Sequence, residues 1–212
     1  MFSSFQGEIF ALITSVCWTI SSMSYEVAGK KIGTVPMNLI RMVIAFIFIS
    51  IYTSIFRGFP LPTDANLHQW IWLLISGFVG FVIGDIMLFQ SFVVIGARVA
   101  MLVMSLVPPI TAFLGWIILG ETMTLWQLFA MTVTVAGIFL VMLKRKKQDK
   151  ENPKPKTGKM SVLLLGTLLA LGGAFGQAGG LVLSKKGMNG YDAFAASQIR
   201  AIAGVFGYIV II

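Results

Sequence analysis

"LLALGGAFGQAGGLVLSKKG", residues 168–187, is the stretch on which the fold turns. Its leucines, valine and alanines suit it to lipid, yet six of its residues are glycines and one is an amide, Gln177. Gly172, Gly176 and Gly180 recur every four positions and therefore share one face of a helix, with Gly173, Ala178 and Gly179 beside them. Small residues at that spacing form a flat ridge on which a second helix packs closely inside a membrane. Gln177 adjoins the ridge and faces either a neighbouring helix or a cavity. Gly80 and Gly84, in another apolar block, are read as helix-packing residues of the same kind.

The composition around this stretch excludes a soluble globular chain. It is 57% hydrophobic and 11% charged, with a mean hydropathy of +0.90. The apolar residues gather in long blocks, not in the short alternating runs of a barrel, and a bilayer core takes about 20 of them per helix. Blocks at 8–28, 37–56, 70–93, 97–119, 123–143, 161–183 and 193–212 predict seven membrane helices. The fold class expected is an all-α polytopic membrane protein. The first block is not a secretory signal, because Glu8 is the only charge before Glu26 and no small-residue cleavage site opens a soluble domain. One cysteine, Cys17, excludes an intrachain disulfide and reads as a small packed residue.

The net charge of +8 would suggest nucleic acid in a soluble protein, but here its location decides otherwise. Eight of the sixteen Lys and Arg lie in "KRKKQDKENPKPKTGK", residues 144–159. With Pro153 and Pro155 this reads as a solvated linker, 144–160, beside acidic headgroups, and not as a nucleic-acid arm. The face reached at the end of the first helix carries eleven cations: Lys30, Lys31, Arg98 and the eight of the linker. The opposite face carries Arg57, Lys185 and Lys186. The positive-inside rule then predicts a cytoplasmic linker and an external N-terminus in the cytoplasmic membrane.

The chain also repeats itself. The second helix begins "VPMNLIRMVIAFIFI" and holds Arg41; the seventh reads "YDAFAASQIRAIAGVFGYIVI" and holds Arg200 in a comparable place. Each follows a Lys-Lys pair, and the two arginines lie 159 residues apart with five helices per period. An odd number of helices per repeat sends the second copy into the membrane from the opposite face, the inverted-repeat plan of secondary transporters. The last residues, "YIVII", stop inside an apolar block, so the expectation is a second repeat, 161–212, lacking about three helices.

Residues from the third to the fifth helix add a more specific signal, "GDIMLFQSFVVIGARVAMLVMSLVPPITAFLGWIILGETMTLWQLFAMTVTVAGIFLVML". It resembles the EamA-type members of the drug/metabolite transporter superfamily. The resemblance rests on Gly84-Asp85, Gly96-Ala97-Arg98, Pro108, Leu119-Gly120-Glu121 with Thr124, and Gly137, and extends to Trp18 and Arg41. It implies ten helices in two inverted repeats, the first at 1–143, and the export or exchange of small metabolites, often proton-coupled. Ala130 and Glu26 depart from the family pattern, which commonly has Gly and Lys there.

Ionisable side chains at bilayer depth need a partner or a water-filled cavity. Glu26, Arg41, Asp85 and Arg98 fall at similar depth and are read as one charged network, or as coupling residues. Asp85 is the deepest, with Arg98 or Arg41 as its counter-ion; Glu26 and Arg98 read equally as interfacial groups that snorkel. Thr14, Trp18, Ser22 and Glu26 recur every four residues on the first helix, with Tyr25 beside them, and this stripe faces a cavity or glues helices. Trp18, Ser22, Tyr25 and Gln177 are the candidate substrate-cavity residues. Pro108-Pro109 should kink the fourth helix. No cofactor or metal motif stands out, neither a Walker loop nor a metalloprotease His-Glu pair. The function expected is secondary transport of small metabolites or drugs, with the bilayer and a small solute as partners and protons as a coupling ion. A seven-helix receptor and a membrane-embedded enzyme remain the alternatives.

Overall fold

The computed structural model describes residues 5–151 and 159–212. Seven helical rods account for nearly all of these: α1 (Gln6–Ile32), α2 (Thr34–Arg57), α3 (Leu67–Ile95), α4 (Ala97–Leu119), α5 (Leu125–Glu151), α6 (Lys159–Met188) and α7 (Ala193–Ile211). No strand occurs among the described residues. Five of the rods, α2, α3, α4, α6 over Val162–Met188, and α7, are long and apolar enough to cross a membrane. The first rod is long but diluted by hydroxyls and by Lys30 and Lys31, and α5 is apolar throughout Leu125–Val141, the part whose side chains the structure describes. The chain is an all-α polytopic membrane protein.

Two of the connections are single glycines. Gly33 (φ +86°) and Gly96 (φ +85°) each reverse the chain in one residue, a left-handed backbone that a side chain would strain. At the other end, α3 starts with a reciprocal cap: Asn66 Oδ1 accepts from the Gln69 N–H at 2.8 Å, and Gln69 Oε1 accepts from the Asn66 N–H at 2.9 Å. Asp192 caps α7 by accepting from the Ala195 N–H at 2.9 Å.

α3 and α6 form the centre. α6 runs along α3 and also meets α4; α7 packs on α2 and α3; α1 lies on the second half of α3; α5 rests chiefly on the end of α4. The small-residue ridge explains the central crossing. A Cβ on Gly176 would stand 2.5 Å from Gly84 Cα, and one on Gly180 would stand 2.8 Å from Gly80 Cα, so the two backbones touch where all four are glycine. Ser76 Oγ secures the crossing by donating to the Gly180 carbonyl at 2.6 Å. Gly172 meets the Met87 side chain instead of a backbone, and a second row of small residues, Ala170, Ala174 and Ala178, each wholly buried, lines the opposite side of α6. α6 and α7 are thus not a body apart from the first 143 residues but occupy the middle of the bundle.

Three local features stand out. The linker 144–160 is partly helical, since α5 continues to Glu151; Lys, Arg, Gln and Glu are good helix formers. Residues 152–158 of that linker lie outside the described residues. The break in α4 falls at Ser105–Leu106, one turn before the prolines, and the helix restarts at Val107 with Pro in its first turn. Pro108 and Pro109 lack the N–H groups that Met104 and Ser105 carbonyls would receive, and first-turn positions need no such donor. Finally, α3 widens to a π-helix over Phe78–Gly84, where the Asp85 N–H reaches back to the Gly80 carbonyl. The Phe81 carbonyl that it bypasses accepts from the Tyr208 hydroxyl at 2.7 Å, and Tyr208 is wholly buried.

Candidate functional site

The site grows from the end of the π-helical stretch. Widened turns of this kind are frequent at functional sites, because they shift every following side chain around the helix axis. Asp85 is the first residue after it and is 2% exposed. One carboxylate oxygen accepts from the Arg41 guanidinium of α2, and the other accepts from the Gln177 amide of α6. Three helices therefore meet on one carboxylate, and each of its oxygens has one charge-assisted donor. The crossing at Gly84 and Gly176, each adjacent to a member of the cluster, is what brings Gln177 within reach.

Aromatic rings wall the pair on the α1 side. The Arg41 guanidinium lies 4.8 Å from the Phe89 ring centre and 5.9 Å from that of Tyr25. Tyr25 meets Phe89 edge-on at 5.1 Å, and Phe89 meets Phe92 edge-on at 5.2 Å. Next to this wall Trp18, Ser22, Tyr25, Phe89 and Phe92 line a shallow hollow with no enclosed space for a water molecule. A ligand pocket takes roughly 300–1,000 Å³, so the hollow is not one in this conformation.

The structure brings together some of the candidate residues and separates others. Trp18, Ser22 and Tyr25 share the hollow, but Gln177 does not; it belongs to the Asp85 cluster. The Ser22 hydroxyl is turned back onto its own helix, donating to the Thr19 carbonyl at 2.9 Å. The expected four-membered charged network is two separate places. Glu26 accepts from the Ala97 N–H at 2.7 Å and from Lys30 at 2.5 Å, so it caps the start of α4. Arg98 is exposed and has no ion-pair partner among the described residues. The reason is geometric: Glu26 lies in the last turns of α1, where the nearest unsatisfied donors are the free amides of the α4 N-terminus.

Sequence reasoning missed other members of this region. Arg200, read only as a marker of the repeat, is 7% exposed, with its guanidinium 4.5 Å from the Phe81 ring centre. Gln198 is wholly buried and donates to the Ser50 hydroxyl at 2.8 Å and to the Pro60 carbonyl at 2.5 Å. Polar residues at bilayer depth were the available signal. On the face away from the linker, Arg57 pairs with Asp64 at 2.6 Å and lies 3.8 Å from Asp192, while the Tyr191 hydroxyl donates to Asp64 at 2.8 Å. Lys185 pairs with Glu121 on the same face. Partial burial pushes the Asp64 carboxyl up, but the Tyr191 hydroxyl and the Arg57 guanidinium outweigh it and hold the carboxyl below its ordinary range.

A bundle of apolar helices that keeps a charged, amide-bound carboxylate in its interior defines a multi-pass membrane protein with a polar site at bilayer depth. The particular family follows from comparison: residues 5–143 match the EamA-like transporter family, and the chain belongs to it, within the drug/metabolite transporter superfamily. It is similar to an uncharacterized transporter, YoaV, of Bacillus subtilis (strain 168), 24% identical over 139 residues, which is 65% of this chain and 47% of that protein. It is also similar to an uncharacterized transporter of Haemophilus influenzae, 24% identical over 145 residues, 68% of this chain and 47% of that one. An uncharacterized membrane protein of Saccharomyces cerevisiae, YMR253C, is 24% identical over 198 residues, 85% of this chain and 45% of that one. The chain spans about half the length of these curated relatives. No solved structure matches it.

Proposed function

We propose that this chain supplies the first part of a secondary carrier that moves a small metabolite or drug across the cytoplasmic membrane by alternating access, with protons as the coupling ion. The observation that carries this reading is the Asp85 cluster: a carboxylate 2% exposed, held by Arg41 and Gln177 from two other helices, beside an aromatic hollow. A charge kept at that depth is expensive, and in membrane proteins such groups mark solute or proton pathways. The glycine crossing between α3 and α6 supports the motion, since backbones that touch without interlocking side chains can slide.

In this reading residues 1–143 are one five-helix repeat and 161–212 begin a second of opposite orientation, with the cytoplasmic linker 144–160 between them. Arg41 and Arg200, each on the second helix of its repeat, are the internal support. Opening of α1 away from α3 enlarges the hollow at Trp18 and Tyr25 to ligand size and loosens the Arg41–Asp85 pair. Protonation of Asp85 would release Arg41 and Gln177 together.

The test is counterflow in proteoliposomes holding the full-length protein, screened with a panel of amino acids and cationic drugs. Saturable exchange of one solute is expected, abolished by Asp85→Asn. Exchange with unchanged pH dependence in that variant removes Asp85 from coupling, and the absence of exchange for the whole panel counts against the carrier.

A further inference from the structure

Arg200 presents a problem that the Asp85 cluster does not solve. Its Nε is shut off from solvent with no acceptor, and no carboxylate among the described residues lies within ion-pair distance of it. Its guanidinium rests on the Phe81 ring and beside Gly80, where a Cβ would stand 3.3 Å from Nη2. Among the described residues, the other charged groups of this interior are Arg41 on α2 and Asp85 on α3, while α6 contributes the neutral Gln177. Asp85 already accepts from Arg41 and Gln177 with both oxygens. Two guanidinium groups thus face one carboxylate, leaving a single uncompensated positive charge at bilayer depth. A ring face softens a cation but does not neutralise it.

We propose that Arg200 anchors an anion site that takes one carboxylate, held at the junction of α3, α6 and α7. The planar fork of donors on a guanidinium matches a carboxylate in two parallel hydrogen bonds, and one such group restores neutrality. The carboxylate comes from a solute or from a polypeptide segment beyond these residues. The solute source rests on the carrier reading; the segment source does not.

The two are separated by measurements that need no transport. Full-length protein in lipid nanodiscs is titrated with benzoate and with benzamide, which differ in the charged group, and melted as wild type, Arg200→Gln and Arg200→Lys. For a solute site, benzoate binds wild type and raises its melting temperature, benzamide does not, Arg200→Gln weakens benzoate by about tenfold or more, and Arg200→Lys weakens it less. For a segment site, neither probe binds, Arg200→Gln melts lower than wild type, and neutralising one acidic residue of the full-length protein outside these residues restores the melting temperature. The proposal is overturned if the probes are not discriminated and Arg200→Gln either melts like wild type or is rescued by no such neutralisation. Benzoate binding without counterflow of any solute would keep the site and remove the carrier; counterflow without a role for Arg200 would do the reverse.

Discussion

At the scale of single residues, the arrangement around Asp85 makes the sharpest prediction. Asp85→Asn leaves the part-buried Arg41 without its counter-charge, a loss of at most the roughly 3–5 kcal/mol of a fully buried pair. Melting of the detergent-solubilised variant should show this loss, and the double variant Arg41→Gln with Asp85→Asn should regain part of the stability without regaining exchange. Asp64 behaves differently, because its carboxyl is held below its ordinary range outside the membrane. A depressed carboxyl contributes stability that is fully present above the unfolded value, about 3.9, and is lost as pH falls through the folded one. The melting difference between wild type and Asp64→Asn should therefore be flat at neutral pH and shrink only below about pH 4. A difference that vanished between pH 6 and 7 would contradict the Arg57–Asp64–Tyr191 linkage.

At the scale of elements, two helices carry the fold through what they lack. The α3–α6 crossing exists because Gly80, Gly84, Gly176 and Gly180 leave no side chain between backbones. Gly176→Leu should destabilise by at least the roughly 1–3 kcal/mol typical of overpacking, with Gln177 drawn off Asp85, read as a lower melting temperature and lost exchange together. The π-helical stretch of α3 is secured by Tyr208, whose hydroxyl takes the carbonyl that the widened turn frees. Tyr208→Phe should cost about 1–3 kcal/mol for the orphaned acceptor while leaving the glycine crossing in place. Faster hydrogen exchange confined to α3 in that variant would locate the effect.

At the scale of the whole molecule, the ion pairs sort by face. Arg57 with Asp64 and Lys185 with Glu121 lie at the ends of helices opposite to the one where Glu26 caps α4. Single cysteines placed at Asp64 and at Pro155, in a Cys17→Ala background, should react with a membrane-impermeant thiol reagent from opposite sides of sealed vesicles. Labelling of both from one side would overturn the alternating path of the helices and the orientation read from the charges.

Much of this was legible along the chain. Block length, hydropathy and the glycine spacing of 168–187 determine an all-helical membrane protein, because in lipid each helix must satisfy its own backbone and its lipid faces must be apolar. The depth of Arg41 and Asp85 follows from counting residues. Depth, however, says nothing of which way a side chain points around its helix or which helices are neighbours. Glu26 and Arg98 share the depth of Arg41 without sharing its partner, Gln177 reaches Asp85 across 92 residues, and Arg200 sits against α3 because α7 packs there. Azimuth and adjacency are properties of the packed bundle, set by where small residues let two backbones meet, and so only the tertiary structure decided which charges met.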